Sequence, residues 1–197
     1  MTADPFDAAV LPVADADELA GVVDLFGALS ADEVVAALVE LAYRQRGSVD
    51  EDRVEATATD AVERAVERYY LVEYVPADLA GADDAAAGTV DADGSDSDHD
   101  ALLTVGPVAF PTLPAEAEDL PHILGFETRS VSRESLARAV ETRLRGDAAR
   151  AVVAEDEARI RHLFDVTYDL EAWAPVEVGE VRERLEDALA AADDDAS

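Results

Sequence analysis

The run Thr89-Val90-Asp91-Ala92-Asp93-Gly94-Ser95-Asp96-Ser97-Asp98-His99-Asp100 gathers oxygen donors at the close spacing that holds a hard divalent cation. With Gly94 as the sharp-turn glycine of an EF-hand-type loop, Asp91, Asp93, Ser97 and Asp100 fall at ligand positions. The remainder departs from that pattern. Thr89 stands where the first aspartate belongs, Asp96 where an apolar anchor belongs, and Asp100 where a bidentate glutamate belongs. No helical pattern flanks the run, so it reads as a solvated acidic loop holding no metal. His162 and Asp165 lie three apart on a helical pattern, the spacing of a base and the carboxylate that orients it. No nucleophile accompanies them: the sequence has no Gly-x-Ser-x-Gly elbow, His-Glu-x-x-His, Walker loop or Gly-x-Gly-x-x-Gly. His162 therefore reads as structural, and the chain as non-catalytic and without a cofactor.

Guanidinium groups form the other chemistry-bearing set. Arg53, Arg64 and Arg68 share one helical segment with Glu51, Asp52, Glu55, Asp60, Glu63 and Glu67, so carboxylates outnumber the groups that would meet phosphates. The least acidic stretch is Arg129 to Arg150, where Arg129, Arg133, Arg138, Arg143, Arg145 and Arg150 face Glu134, Glu141 and Asp147. On a helix starting near Ser132, Arg138 and Arg145 lie seven apart on one face, and Arg138 has Glu141 three residues on as an ion-pair partner. Two readings stand: a solvated face with ordinary ion pairs, or a partner-binding patch built on Arg133, Arg138 and Arg145.

The whole chain sets these groups in a strongly negative field. Its 197 residues carry 46 Asp and Glu against 15 basic residues, for a formal net charge of -31. All 15 are Arg; Asn is absent, Gln45 is the one glutamine, Ile occurs twice and Ala forty times. This skewed alphabet resembles that of extreme halophiles with GC-rich genomes, where a carboxylate surface stays hydrated and its self-repulsion is screened. The Debye length falls to about 3 Å at 1 M salt. In dilute salt the field disfavours nucleic acid and acidic lipid alike. With no Cys, the chain can form no disulfide, zinc-thiolate site, iron-sulfur cluster or cysteine nucleophile. The N-terminus lacks a basic and apolar leader pattern, and the longest uncharged run, Ala101 to Ala115, has 15 residues and three prolines. No membrane contact is expected, and the protein is expected in the cytoplasm.

The elements that must position these side chains are mostly helices. Asp17 is a candidate cap for a helix carrying Leu19, Val22, Val23 and Phe26, ended by Gly27. Ser30 to Glu33 and Ser48 to Glu51 both have capping-box spacing. They open helices carrying Val34, Leu38 and Leu41, and Val54, Ala58, Ala61, Val62 and Ala65. Tyr70 to Val75 and Leu102 to Val105 predict a hairpin. Between them, residues 76–101 carry eight Asp and no Arg, and read as a disordered acidic insertion. Pro111-Thr112-Leu113-Pro114 reads as a rigid exit from that hairpin. Ser132 caps a further helix with Gly146 as its stop, Asp147 opens the next segment, and helical spacing continues to Trp173 before the Pro175 break. Trp173 and Tyr168 read as packing residues, and Val178, Val181, Leu185 and Leu189 mark a last helix. The fold class is mainly α with a small antiparallel β-hairpin, divided into residues 1–115 and a helical region 116–197 with an acidic tail.

Three helices followed by a hairpin over Asp17 to Val108 is similar to the winged helix-turn-helix domain. In that family the third helix reads the major groove and the hairpin is the wing. That resemblance implies DNA contacts from Arg53, Arg64 and Arg68. The stretches Asp17-Glu18-Leu19, Tyr70-Leu71-Val72-Glu73-Tyr74 and Gly106-Pro107-Val108-Ala109-Phe110-Pro111 also resemble an uncharacterised family of small acidic haloarchaeal proteins. The expected function is that of a non-catalytic adaptor or regulator acting by protein contact or self-association. A salt-tolerant DNA-binding regulator is the alternative, and an enzyme of unknown type the third class.

Overall fold

A computed structural model describes residues 6–75 and 101–195, with side chains as far as residue 192. The oxygen-rich run Thr89 to Asp100, His99 within it, and the insertion expected at 76–101 up to residue 100 lie outside the described residues. Seven helices and a two-stranded antiparallel sheet make up the described residues. The fold is mainly α with a small β-hairpin.

Local side chains set the helix starts. Helix α1 (Ala16–Asp24) is capped by Asp15, whose Oδ1 accepts the amides of Asp17 and Glu18 at 3.0 Å each. Asp17, the expected cap, sits inside the helix instead. Helix α2 (Ala31–Arg46) opens with a full capping box: Ser30 Oγ accepts the Glu33 amide at 3.2 Å and Glu33 Oε2 accepts the Ser30 amide at 2.8 Å. Helix α3 (Glu51–Glu67) is capped by Asp50 rather than Ser48, because Asp50 Oδ1 reaches the Arg53 amide at 3.3 Å.

Strands β1 (Leu71–Tyr74) and β2 (Leu102–Val105) pair with Leu71 opposite Val105 and Tyr74 opposite Leu102. Leu29, between α1 and α2, adds a single rung: its amide donates to Leu103 O at 3.0 Å and its carbonyl accepts the Leu103 amide at 2.6 Å. That rung ties the hairpin to the corner of the helices. Leu19, Val22 and Val23 from α1, Phe26 just after it, Leu38 and Leu41 from α2, Val54 and Ala61 from α3, and Leu71 and Leu103 from the sheet share one core. Each large side chain fully withdrawn from water stabilises that core by about 1.5–3 kcal/mol.

The chain divides into two compact units, residues 1–131 and 132–197. Sequence reading puts the boundary at 115/116, but Ala117 and Leu120, the latter in the short helix α4 (Leu120–Leu124), are fully buried in the first core. Phe126 also packs on Phe26, with ring centroids 5.7 Å apart.

The second unit is α5 (Arg133–Val153), α6 (Glu157–Trp173) and α7 (Gly179–Asp195). Ser132 caps α5 and Asp156 caps α6. Helix α5 runs through Gly146, the expected stop. Leu144, Ala148 and Ala151 continue its buried stripe on both sides, and that packing outweighs the roughly 1 kcal/mol a helical glycine costs. Helix α6 ends at Trp173, where Ala174 turns extended ahead of Pro175. Among the described residues no helix is long and apolar enough to cross a membrane.

Candidate functional site

Helix α3 brings its three candidate arginines to one flank. At 100° per residue, Arg53, Arg64 and the C-capping Arg68 fall within about 60° of one another, over about 22 Å of axis. Arg53 is well exposed and stands 3.9 Å from the Asp7 carboxylate, whereas Arg64 pairs with Glu67 at 2.9 Å. Arg68 is exposed and makes no ion pair among the described residues. Asp60 and Glu67 interrupt the same flank, and Asp52, Glu55 and Glu63 occupy the other exposed side. The row is therefore a guanidinium line diluted by carboxylates.

The α5 candidates are held apart by local pairs. Arg133 donates to Trp173 O at 3.5 Å and sets its guanidinium 5.5 Å from the indole centroid, a cation–π contact. Arg138 pairs with Glu134, one turn back, rather than with Glu141. Glu141 instead takes Arg145 at 2.8 Å. Arg143, Arg150 and Arg159 converge on Asp147, with Arg143 at 3.7 Å and Arg159 at 3.1 Å. Asp147 is 8% exposed, and the three guanidiniums supply its carboxylate with the partners that a buried side chain of this kind needs. It lies within the buried stripe of α5, not at a helix start.

Other arginines act as clasps, and sequence reading gave Arg44, Arg46 and Arg182 no role. Arg46 donates to the carbonyls of Ala8, Val10 and Leu11, and Gln45 to those of Pro12 and Ala115. Arg44 reaches Asp119 at 3.3 Å and Glu116 at 3.6 Å. Arg44 and Arg46 stand in the last turn of α2, yet their partners lie 35 or more residues away in the chain, so local spacing gave no signal for these contacts. Arg182 on α7 donates to Thr167 Oγ1 at 2.9 Å, pairs with Glu171 and stacks 4.1 Å from the Tyr168 centroid. The Arg182 hydrogen bond, followed by the Val178 amide, holds the Glu171 carboxyl below the ordinary range. His162 is half-buried on α6. On the same helix Asp169 is pushed up, first by burial and then by the neighbouring Asp165 charge.

Arg129 fastens the chain that follows the hairpin. Its guanidinium meets both Glu33 oxygens, with Nη2 to Oε1 at 2.9 Å, and its amide donates to Phe26 O at 2.8 Å. The Arg129 hydrogen bond holds Glu33 below its usual range, and Glu33 in turn raises Arg129.

Upstream of that clasp, residues 110–113 form a fixed, outward-facing segment. The Phe110 amide donates to Asp17 Oδ1 at 2.7 Å and the Thr112 amide to Asp17 O at 3.1 Å. Thr112 O lies so close to α1 that a Cβ added at Gly21 would stand 1.9 Å from it. Phe110 is nevertheless 75% exposed and Leu113 50% exposed, with Pro111 exposed between them and Pro114 buried. Three exposed carboxylates follow: Glu116, Glu118 and Asp119. Among the described residues no group of His, Asp and Glu is placed to hold a metal ion.

The profile of one protein family matches residues 17–190, which takes in both units from α1 into α7. The chain belongs to DUF7109, a family of unknown function. The DUF7109 match covers the α3 arginine row, the Phe110 segment, the Arg44, Arg129 and Arg182 clasps and the Asp147 hub within one family unit. Neither a curated protein nor a solved structure matches the chain.

Proposed function

We propose that the protein is a non-catalytic adaptor or regulator of a halophile's cytoplasm that acts through protein–protein contact. One observation carries the reading. Phe110 and Leu113 are displayed on a backbone that Asp17 holds at two amides and that Gly21 lets lie against α1. Single exposed apolar side chains are ordinary on protein surfaces. A pinned pair, one of them aromatic, is different, because binding through it loses little backbone entropy and aromatic anchors dominate interface energetics. Co-purification from native host cells in molar KCl tests the reading. The wild type should retain a defined partner that Phe110→Ala/Leu113→Ala loses at unchanged circular dichroism. Identical partner sets for both proteins would overturn it.

A second reading, a salt-tolerant winged-helix DNA regulator, is supported by the α3 row and by the Leu29 rung that docks the hairpin on the helices as a wing would be. Fluorescence anisotropy with pooled genomic DNA fragments in molar KCl tests it. Binding lost in Arg53→Ala/Arg64→Ala/Arg68→Ala would promote it above the adaptor, and no binding by the folded wild type would remove it.

A further inference from the structure

We infer that the Phe110 to Leu113 segment inserts into an apolar pocket, rimmed by basic side chains, on a protein other than a second copy of this chain. The inference rests on the protein-contact reading and names the occupant of that surface. Shape is the first argument. Phe110, at 75% exposure, is the most exposed large apolar side chain among the described residues of the first unit, and Thr112 between the anchors is tied by its backbone to α1, so the apolar side chains are offered from a fixed backbone and leave water only where a partner encloses them. Charge is the second. The segment runs directly into Glu116, Glu118 and Asp119, all exposed, and Arg44 is the one guanidinium paired to them among the described residues. A partner entering over that rim meets a net negative surface and is favoured when its own rim is basic. The third argument separates partners: in a two-fold contact centred on Phe110, the adjoining Glu116, Glu118 and Asp119 would meet acidic groups of a second copy at contact range, too close for salt to screen, whereas a basic rim pairs with them.

Photo-crosslinking on the full chain tests this. p-Benzoyl-phenylalanine is placed at position 110, 113, 75 or 153 in separate proteins, the last two replacing Val75 and Val153, which are exposed elsewhere. The proteins are irradiated in host cells and the crosslinked peptides sequenced. The expected result is one protein joined from both 110 and 113, at a segment with net positive charge, and not from 75 or 153. A synthetic peptide of that segment, titrated onto the purified chain, should bind about 30-fold more weakly to Phe110→Ala. Replacing Glu116, Glu118 and Asp119 by amides should slow its association several-fold at 0.5 M KCl and much less at 3 M. A crosslink from 110 to a second copy, to residues 132–195 of its own chain, or to an acidic segment would overturn the inference. Crosslinks to other proteins from 75 or 153 alone would overturn it while leaving the protein-contact reading in place. None from any position would overturn both.

Discussion

At the residue scale the arginines divide between clasps and surface, and the clasps make measurable predictions. Glu33 is the sharpest case, since one carboxylate closes the α2 capping box and grips both arms of Arg129. Its folded value lies below the ordinary 4.5, so the fold gains stability from its charge above that pH and loses the gain as pH falls through the lowered value. Glu33→Gln should cost about 1.5–3 kcal/mol at pH 7. In urea titrations followed by circular dichroism, the two proteins should converge at acid pH; a constant offset would mean the loss is one of packing. Asp169 has the opposite sign. Burial first, then Asp165, raise its value above 3.8, so its charge costs stability at neutral pH and the cost vanishes as pH falls through the raised value. Asp169→Asn should therefore stabilise at pH 7 by about 0.5 kcal/mol or less, with no gain well below pH 3.8.

Two glycines make element-scale predictions of opposite direction. Gly21→Ala would drive a Cβ into the Thr112 carbonyl, a backbone atom with no easy retreat, and should cost about 2–3 kcal/mol. Hydrogen exchange should then show the Phe110 and Thr112 amides losing protection; unchanged protection would mean that α1 and the segment move together. Gly146→Ala places its Cβ 3.4 Å from a movable Arg150 side chain within a continuous helix, and should raise stability by about 0.5–1 kcal/mol, read as a higher melting temperature. Gly146 also shows where the sequence was legible. Apolar spacing marked the stripes of α1 to α3, and β-branched runs placed both strands, because those signals come from the burial that builds the core. Helix ends were read less well. A Gly inside a buried stripe looks like one that ends it, and Asp15, two residues before the expected cap, takes the Asp17 and Glu18 amides and starts the helix earlier. The α3 row was visible as residue types, though not as one flank. The pinned Phe110 segment was legible as a rigid exit and no further, because its anchor is Asp17, 93 residues away.

At the scale of the whole molecule, charge should decide when the protein is folded. With 46 carboxylates and 15 guanidiniums, one-to-one pairing still leaves most carboxylates facing one another. Added salt weakens the clasps and the repulsion together, and the repulsion is by far the larger sum, so salt should stabilise. Between 0.1 and 2 M KCl the urea midpoint should rise by about 1 M or more, which at a slope of about 2 kcal/mol per M is near 2 kcal/mol. The load is uneven. Residues 1–131 hold six Arg against 29 Asp and Glu, and residues 132–197 hold nine against 17. Leaving out the eight Asp of residues 76–100, the first unit still has 21. It should therefore unfold first as KCl is withdrawn. Trp173, the single tryptophan, lies in the second unit, so its fluorescence follows that unit while far-ultraviolet circular dichroism follows both. The dichroism should begin to fall at a higher KCl concentration than the fluorescence shifts. Coincident transitions would show that the two units unfold as one cooperative body, their unequal charge notwithstanding.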